Sequence, residues 1–484
     1  MLILRVSLLL LLVVCNALAG DLLVGWASTD ITPDRPVSLA GQFYTRVTKQ
    51  VHDPITATVL AIESRSEGHA PEQAAMVSCD VVGIDKRLLD ALRERLKQTL
   101  PELDGRKLLL NATHTHTAPL LREGWNEVPE GVMTPPEYRS FLTDRISAAI
   151  AQAWRNRKPA GLSWALGHAV IGSNRRAIYA DGGAKMYGKT DVPEFTHLEG
   201  YEDHGVELLF FWDGDRKPTG IAVNVACPSQ VVENQSYVSA DFWHEVRSEL
   251  RKRYSKDLFV YAMTGASGDQ APRVLFRKGA EENMRRRMGG VSETEEIARR
   301  LANAVDYVYS AAKGDIRRGV TFVHKVEDLR LPVRKVTEAE VEFAKKEYER
   351  LKNAPPAERN RFSLMGRHAG VIDRHMRQDS DRDFAMELHV IRLGDVAIAT
   401  NPFELFLDFG IRMKARSRAE QTFVVQLASD YSGYLPTARA VAAGGYGTEI
   451  PSNIVGPEGG QILVDRTVEA INSMWGAKES PERE

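Results

Sequence analysis

Three runs in the first part of the chain are nearly continuous in apolar residues: "ATVLAIES", "AAMVSCDVVGI" and "KLLLNATH". A strand with one face in water alternates polar and apolar residues, whereas these runs leave no polar face, so both of their faces must be covered. Helix-periodic segments around residues 86–100 and 136–155 lie between and after them. The chain is therefore expected to fold as an α/β protein, a large mixed-sheet domain with flanking helices.

In such sheets functional groups gather at the carboxyl ends of the strands. Four polar clusters follow apolar runs in that way: Cys79-Asp80, His114-Thr115-His116, Cys227-Pro228 after "GIAVNVA", and "GASGDQAPR" after "LFVYAM". Two charged, helix-periodic segments, about 278–313 and 335–378, look like insertions, the second broken by Pro355-Pro356. They read as solvated helices covering a sheet edge or closing over a cleft. Strand patterning then resumes in "MELHVIRLGDVAIATNPFELF" and "TFVVQLASDYSGYLP".

Composition narrows the partners. With 63 basic and 65 acidic residues the formal net charge is −2, which gives no electrostatic basis for binding nucleic acid or an anionic membrane surface. A small-molecule ligand is expected, with the oligomeric state left open. The opening "MLILRVSLLLLLVVCNALAG" has an early Arg5, an apolar stretch and small residues near Ala19 and Gly20, the pattern of a secretory signal peptide over residues 1–20. Val14 sits where a lipoprotein signal on Cys15 wants a small residue, so export to the periplasm or beyond, without a lipid anchor, is the expectation. No later segment approaches the roughly 20 apolar residues of a transmembrane helix. Beyond the signal only Cys79 and Cys227 remain, open to a disulfide, buried thiols or a metal-bound thiolate.

In "NATHTHTAPL", His114 and His116 are two apart, a spacing that turns both rings to one face of a strand. Both can approach one metal, one can ligate while the other orients a substrate oxygen, or the two can be a hydrogen-bonded surface pair. Arg175 and Arg176 in "GSNRRAIYADGG" can bind a carbonyl or carboxylate or form a surface charge pair. Glu404 among apolar residues is a helix-start residue or a ligand. "GASGD" departs from a serine-hydrolase elbow because Gly268 comes one place early, yet a nucleophilic Ser267 stays as a further reading.

Seven segments in order resemble the catalytic domain of the neutral (alkaline, non-lysosomal) ceramidases: "VGWASTDITPDRPVSLAGQ", "NATHTHTAP", "GSNRRA", "NVACPSQVV" with "VSADF", "GASGDQAPR", "NPFELF", and "ASDYSGYLPTARAVAAGGY". The resemblance runs through residues 21–484, and the family's C-terminal immunoglobulin-like domain has no counterpart in this sequence. It implies zinc as cofactor, with His114, Glu404 and Tyr431 as ligands, and His116, Arg175 and Tyr446 holding the scissile carbonyl. The family's second zinc-ligating histidine falls at Cys227, which is then either a thiolate ligand or a buried thiol. The family's serine in the "GDQAP" segment is replaced by Ala271, leaving Asp269 or nearby backbone to take its part. The implied activity is zinc-dependent hydrolysis of an amide or related acyl bond in an amphipathic N-acyl lipid or similar molecule. The alternative is a non-catalytic relative that binds a lipid or glycan at a degenerate metal site.

Overall fold

The computed structural model describes residues 21–65, 70–355 and 358–476; the signal-peptide segment 1–20 lies outside them. The frame is three sheets. The first runs, edge to edge, Leu108–Ala112, Glu72–Cys79, Thr56–Arg65, Asp21–Asp30 and Lys158–Pro159. The second runs Phe259–Thr264, Pro218–Val225, Gly205–Trp212 and Gly161–His168. The third runs Phe322–Pro332, Asp383–Leu393, Val396–Thr400 and Gln421–Val425.

Each of these sheets is antiparallel but for one parallel pair: Glu72–Cys79 with Leu108–Ala112, Pro218–Val225 with Phe259–Thr264, and Val396–Thr400 with Gln421–Val425. A parallel pair needs a crossover, which a helix supplies in each sheet: Lys86–Thr99, Phe242–Arg253 and Leu407–Arg416. These helices, with Pro135–Arg155, Glu293–Gly314 and Pro457–Asn472, bury one face of each sheet. The opposite faces meet in a common core, where Leu60 and Met76, Phe211 and Met263, and Ile398 and Phe423 pack together. That double burial is why the strands lack alternation. Trp26 is pinned there, edge-on to Phe211 at 5.3 Å and stacked on Phe259 at 5.6 Å.

Within the charged segments the chain forms the helices Lys278–Arg287 and Glu293–Gly314, then Glu338–Lys352 and Arg361–Arg377. Among the described residues no helix is long and apolar enough to cross a membrane.

Candidate active site

The carboxyl ends of the three parallel pairs point to one place. Thr264 Oγ1 donates to Ala112 O at 3.1 Å, Gln426 N to Thr264 O at 3.0 Å, and Asn401 N to Val425 O at 2.9 Å. The Gln426 side-chain oxygen accepts from both Ser267 N and Leu405 N at 3.0 Å, joining the loops after three strands. Several turns here are tight enough to force left-handed backbone on residues other than glycine: His114 (φ 67), Leu427 (φ 55) and Ser429 (φ 62). Such conformations persist only where the surroundings over-determine them, and they concentrate at functional sites.

These loops carry His114, Glu404 and Tyr431 to the floor of a chamber of about 60 Å³, which His116, Tyr434 and Tyr446 also line. His114 Nδ1 lies 2.5 Å from Val82 O; the carbonyl can only accept, so Nδ1 carries the hydrogen and Nε2, with a lone pair for whatever proton or cation it meets, is the nitrogen turned to Glu404. Gln230 Nε2 donates to His116 Nε2 at 2.9 Å, so that nitrogen also bears a lone pair. The two Nε2 atoms are 3.3 Å apart, and His114 Nε2 is 3.4 Å from Glu404 Oε2. Atoms that all carry lone pairs repel at this range unless a proton or a cation lies among them. A separation of about 3.4 Å is also what two tetrahedral ligands, each roughly 2.1 Å from one ion, adopt. The donor set of His114, Glu404 and Tyr431 therefore fits a small divalent metal. Among the described residues no group of three or more His, Cys, Asp or Glu has metal-holding spacing, so Tyr431 is needed as the third donor.

Electrostatics support that assignment of charge. Burial opposes ionisation of Glu404, but positive charge at His114, in the form of a proton or cation held between its Nε2 and the carboxylate, and the Arg175 guanidinium outweigh burial and hold the carboxyl below its ordinary range. Burial and the Glu404 carboxylate push the Tyr431 phenol well up, so it stays an O–H and donates to Glu404 Oε1 at 2.8 Å. Burial, then His114 and the guanidiniums of Arg46, Arg175 and Arg273, push the His116 imidazole well down, so the ring is neutral.

Two glycines make the room. A Cβ on Gly41 (φ 92) would lie 2.4 Å from the His116 ring, and one on Gly83 would lie 2.8 Å from the Tyr431 ring. Arg46, buried beneath, donates to Ala40 O, His116 O, Glu233 O and Gln235 O at 2.5 to 2.7 Å. Burial pushes its guanidinium down to about 10.

The residues singled out in the sequence fall into three groups. His114, His116, Glu404, Tyr431 and Tyr446 line the chamber. Arg175 lies behind them, its guanidinium donating to Gly268 O at 2.8 Å and Tyr434 Oη at 3.1 Å. Cys227 and Asp269 do not reach the chamber. The Cys227 thiol is fully buried in the core of the second sheet and donates to Ile171 O at 3.3 Å, and burial pushes it well above its ordinary range, against thiolate formation. Asp269 accepts from Leu407 N at 2.9 Å and from Asn174 Nδ2 at 3.1 Å, so both its oxygens bind the loops together. Ser267, also buried, accepts from the Gln426 amide at 3.1 Å, with no base beside it among the described residues. Cys79 and Cys227 are both free. Sequence reasoning missed Gln230, Tyr434, Arg46 and the aromatic walls Phe43 and Trp125; Gln230 lies only three residues past Cys227 in "CPSQ", a polar residue in the loop after the strand Pro218–Val225.

Two solved structures share this fold over 96% of the chain. A ceramidase complexed with C2 matches with a TM-score of 0.65 at 15% identity, the match covering 77% of that chain. A neutral ceramidase from Pseudomonas aeruginosa matches with a TM-score of 0.65 at 17% identity, covering 76% of that chain. No protein-family model and no curated protein matches the sequence. The fold is ceramidase-like, as the seven ordered segments implied.

Proposed function

We propose that the chain is a zinc-dependent hydrolase of an amide or related acyl bond, acting on an amphipathic N-acyl lipid or similar molecule and exported after loss of residues 1–20. One juxtaposition supports this most: the bare His114 Nε2, the Glu404 carboxylate and the Tyr431 hydroxyl at the floor of one chamber. These three would hold the ion, which when bound supplies a Lewis acid and an acidified water. Three protein donors are the number that leaves a catalytic site an open position.

The remaining work falls to this chain's own side chains. Tyr434 and Tyr446, pushed up by burial and the Glu404 carboxylate, keep their protons and offer O–H groups to a substrate carbonyl as its oxygen gains charge. Arg175 fixes Tyr434 through the hydrogen bond at 3.1 Å. His116, neutral and held by Gln230, can take up a proton from water and pass it to the departing nitrogen. The balance is simple: water oxygen joins the acyl carbon, the C–N bond breaks, and the amine leaves with a proton from that water. Phe43, Trp125 and Tyr431 give the chamber an aromatic wall.

The test is metal content together with turnover. Purified protein should carry or take up about one zinc per chain, hydrolyse members of a fluorogenic N-acyl panel, lose that activity to a chelator, and lose it in His114→Ala. A second reading, binding without turnover, is favoured by the retreat of Cys227 from the chamber, which leaves one donor fewer. Stoichiometric zinc with saturable lipid binding and no hydrolysis across the panel would select it.

A further inference from the structure

The inner chamber, at about 60 Å³, holds little more than the reacting bond. It opens, past Arg122, Trp125, Tyr431, Tyr434 and Tyr446, into an outer chamber of about 530 Å³. The rest of any substrate must lie there. Its far wall is the helix Arg361–Arg377, which presents Ser363, Gly366, Gly370 and Arg374 at three- to four-residue spacing, one face of a helix. A Cβ on Gly370 would meet nothing within 4 Å, so this face is built small and open.

The charges around that space do not cancel locally. Asp373 and Asp381 are taken by Arg377, and Glu123 by Arg87 and Arg139. Asp383 is exposed. Arg367 pairs with no carboxylate among the described residues; it donates to Ser452 Oγ at 2.7 Å, and its guanidinium lies 4.8 Å from the Phe43 ring. Arg122 sits 5.9 Å from the Tyr431 ring, donates to Tyr431 O at 3.1 Å, and comes no nearer than 3.9 Å to Asp430. Behind them Arg374 spends two N–H groups on Ile450 O and Asn453 O, and its Nε is buried with no partner. A row of rings, Tyr431, Trp125 and Phe43, spans the opening with a guanidinium on the face of each end ring. Each guanidinium makes one hydrogen bond among the described residues, from Nη2 to Tyr431 O in Arg122 and from Nη2 to Ser452 Oγ in Arg367, which leaves further N–H groups for an anion with several oxygens.

We propose that the outer chamber is an anion subsite, with Arg122 and Arg367 as its contacts, and that the preferred substrates are N-acyl amines carrying a carboxylate, sulfonate or phosphate on the amine side. Resting on the hydrolase reading, this names its substrate class. It also gives the second charged insertion a task, since that segment supplies both the wall and one of the two cations.

The experiment compares N-lauroylglycine and N-lauroyltaurine with the neutral N-lauroylethanolamine, by kcat/KM and by calorimetric Kd. Anionic probes should be favoured over the neutral one by about 10-fold or more, the size expected of a charge-assisted contact, and Arg122→Met and Arg367→Met should each shrink that ratio several-fold. Glycine against taurine tells carboxylate from sulfonate. Hydrolysis with no anionic preference in the wild-type protein, or a preference that both variants retain, overturns the subsite and leaves the hydrolase reading standing. Absence of hydrolysis with an anionic preference in Kd, lost in the variants, keeps the subsite and removes the hydrolase reading.

Discussion

Two histidine pairs meet ring to ring among the described residues, and they differ in what surrounds the contact between the rings. His324 and His389 come from neighbouring strands of the third sheet, with His324 Nε2 3.0 Å from His389 Nδ1. His324 Nδ1 donates to Gln73 O at 3.0 Å, so its Nε2 accepts from His389 Nδ1–H, and the contact holds one proton. Glu387 Oε2 also faces His389 Nε2 at 3.3 Å, but this carboxylate is gripped by both Nη groups of Arg93 at 2.7 Å, so a guanidinium already meets its charge. His114 and His116 are as close, but their facing nitrogens both bear lone pairs, a third lone pair comes from Glu404, and a chamber opens beside them. The same side chain is fastened in one place and left wanting a cation in the other. Burial of a histidine says little; the proton count across its contacts says what it is for.

Removing His114 should widen this contrast most. His114→Ala is expected to cut kcat/KM by about 10³-fold or more while circular dichroism and Tm stay near wild type; a comparable loss in His389→Gln would erase the distinction. His389→Gln should instead cost about 2–3 kcal/mol of stability, read by urea unfolding, because His324 loses its donor inside the core, with bound zinc unchanged.

Acid should act through the fastened pair. Burial pushes His324 well below, and His389 below, the 6.5 of a free imidazole. Between the folded and unfolded values the unfolded chain binds more protons, so stability is full above about pH 6.5 and falls as pH drops below it. Each such proton steepens the fall by about 1.4 kcal/mol per pH unit, and His116, also pushed down, adds to it. A pH series of unfolding curves in which His324→Gln has the same slope as wild type would contradict the assignment.

Smaller effects probe the open pair's surroundings. Gly41→Ala should lower kcat by about 10-fold as the new Cβ displaces the His116 ring, with a Tm loss from its positive φ. Cys227→Ala should cost only about 1 kcal/mol, the loss of one small buried group, and leave zinc content and kcat as they were. A parallel loss of zinc would return that thiol to the metal.

Much of this was legible in the sequence, for identifiable reasons. Strands buried on both faces betray themselves by missing alternation, and loops at their carboxyl ends therefore marked His114 and His116, while Glu404 stood out as a carboxylate among apolar residues. Direction was not legible. Cys227 stands where its position in "NVAC" puts it, but Ile171 O and the bare Gly172 beside its Cβ give the short thiol a place in the core. Asp269 likewise faces two loops rather than the chamber. His324 and His389 carried no local signal, since 65 positions separate them and only strand pairing joins them.

The buried Arg46 has a consequence for motion. Its four carbonyl partners belong to three segments far apart in the chain, around residues 40, 116 and 233–235, and opening any one means stripping a desolvated cation of its partners. The rim of the chamber should therefore breathe as a single unit: the hydrogen-bonded amides of these three segments are tied to one opening event and should show one shared opening free energy once each is corrected for its intrinsic exchange rate.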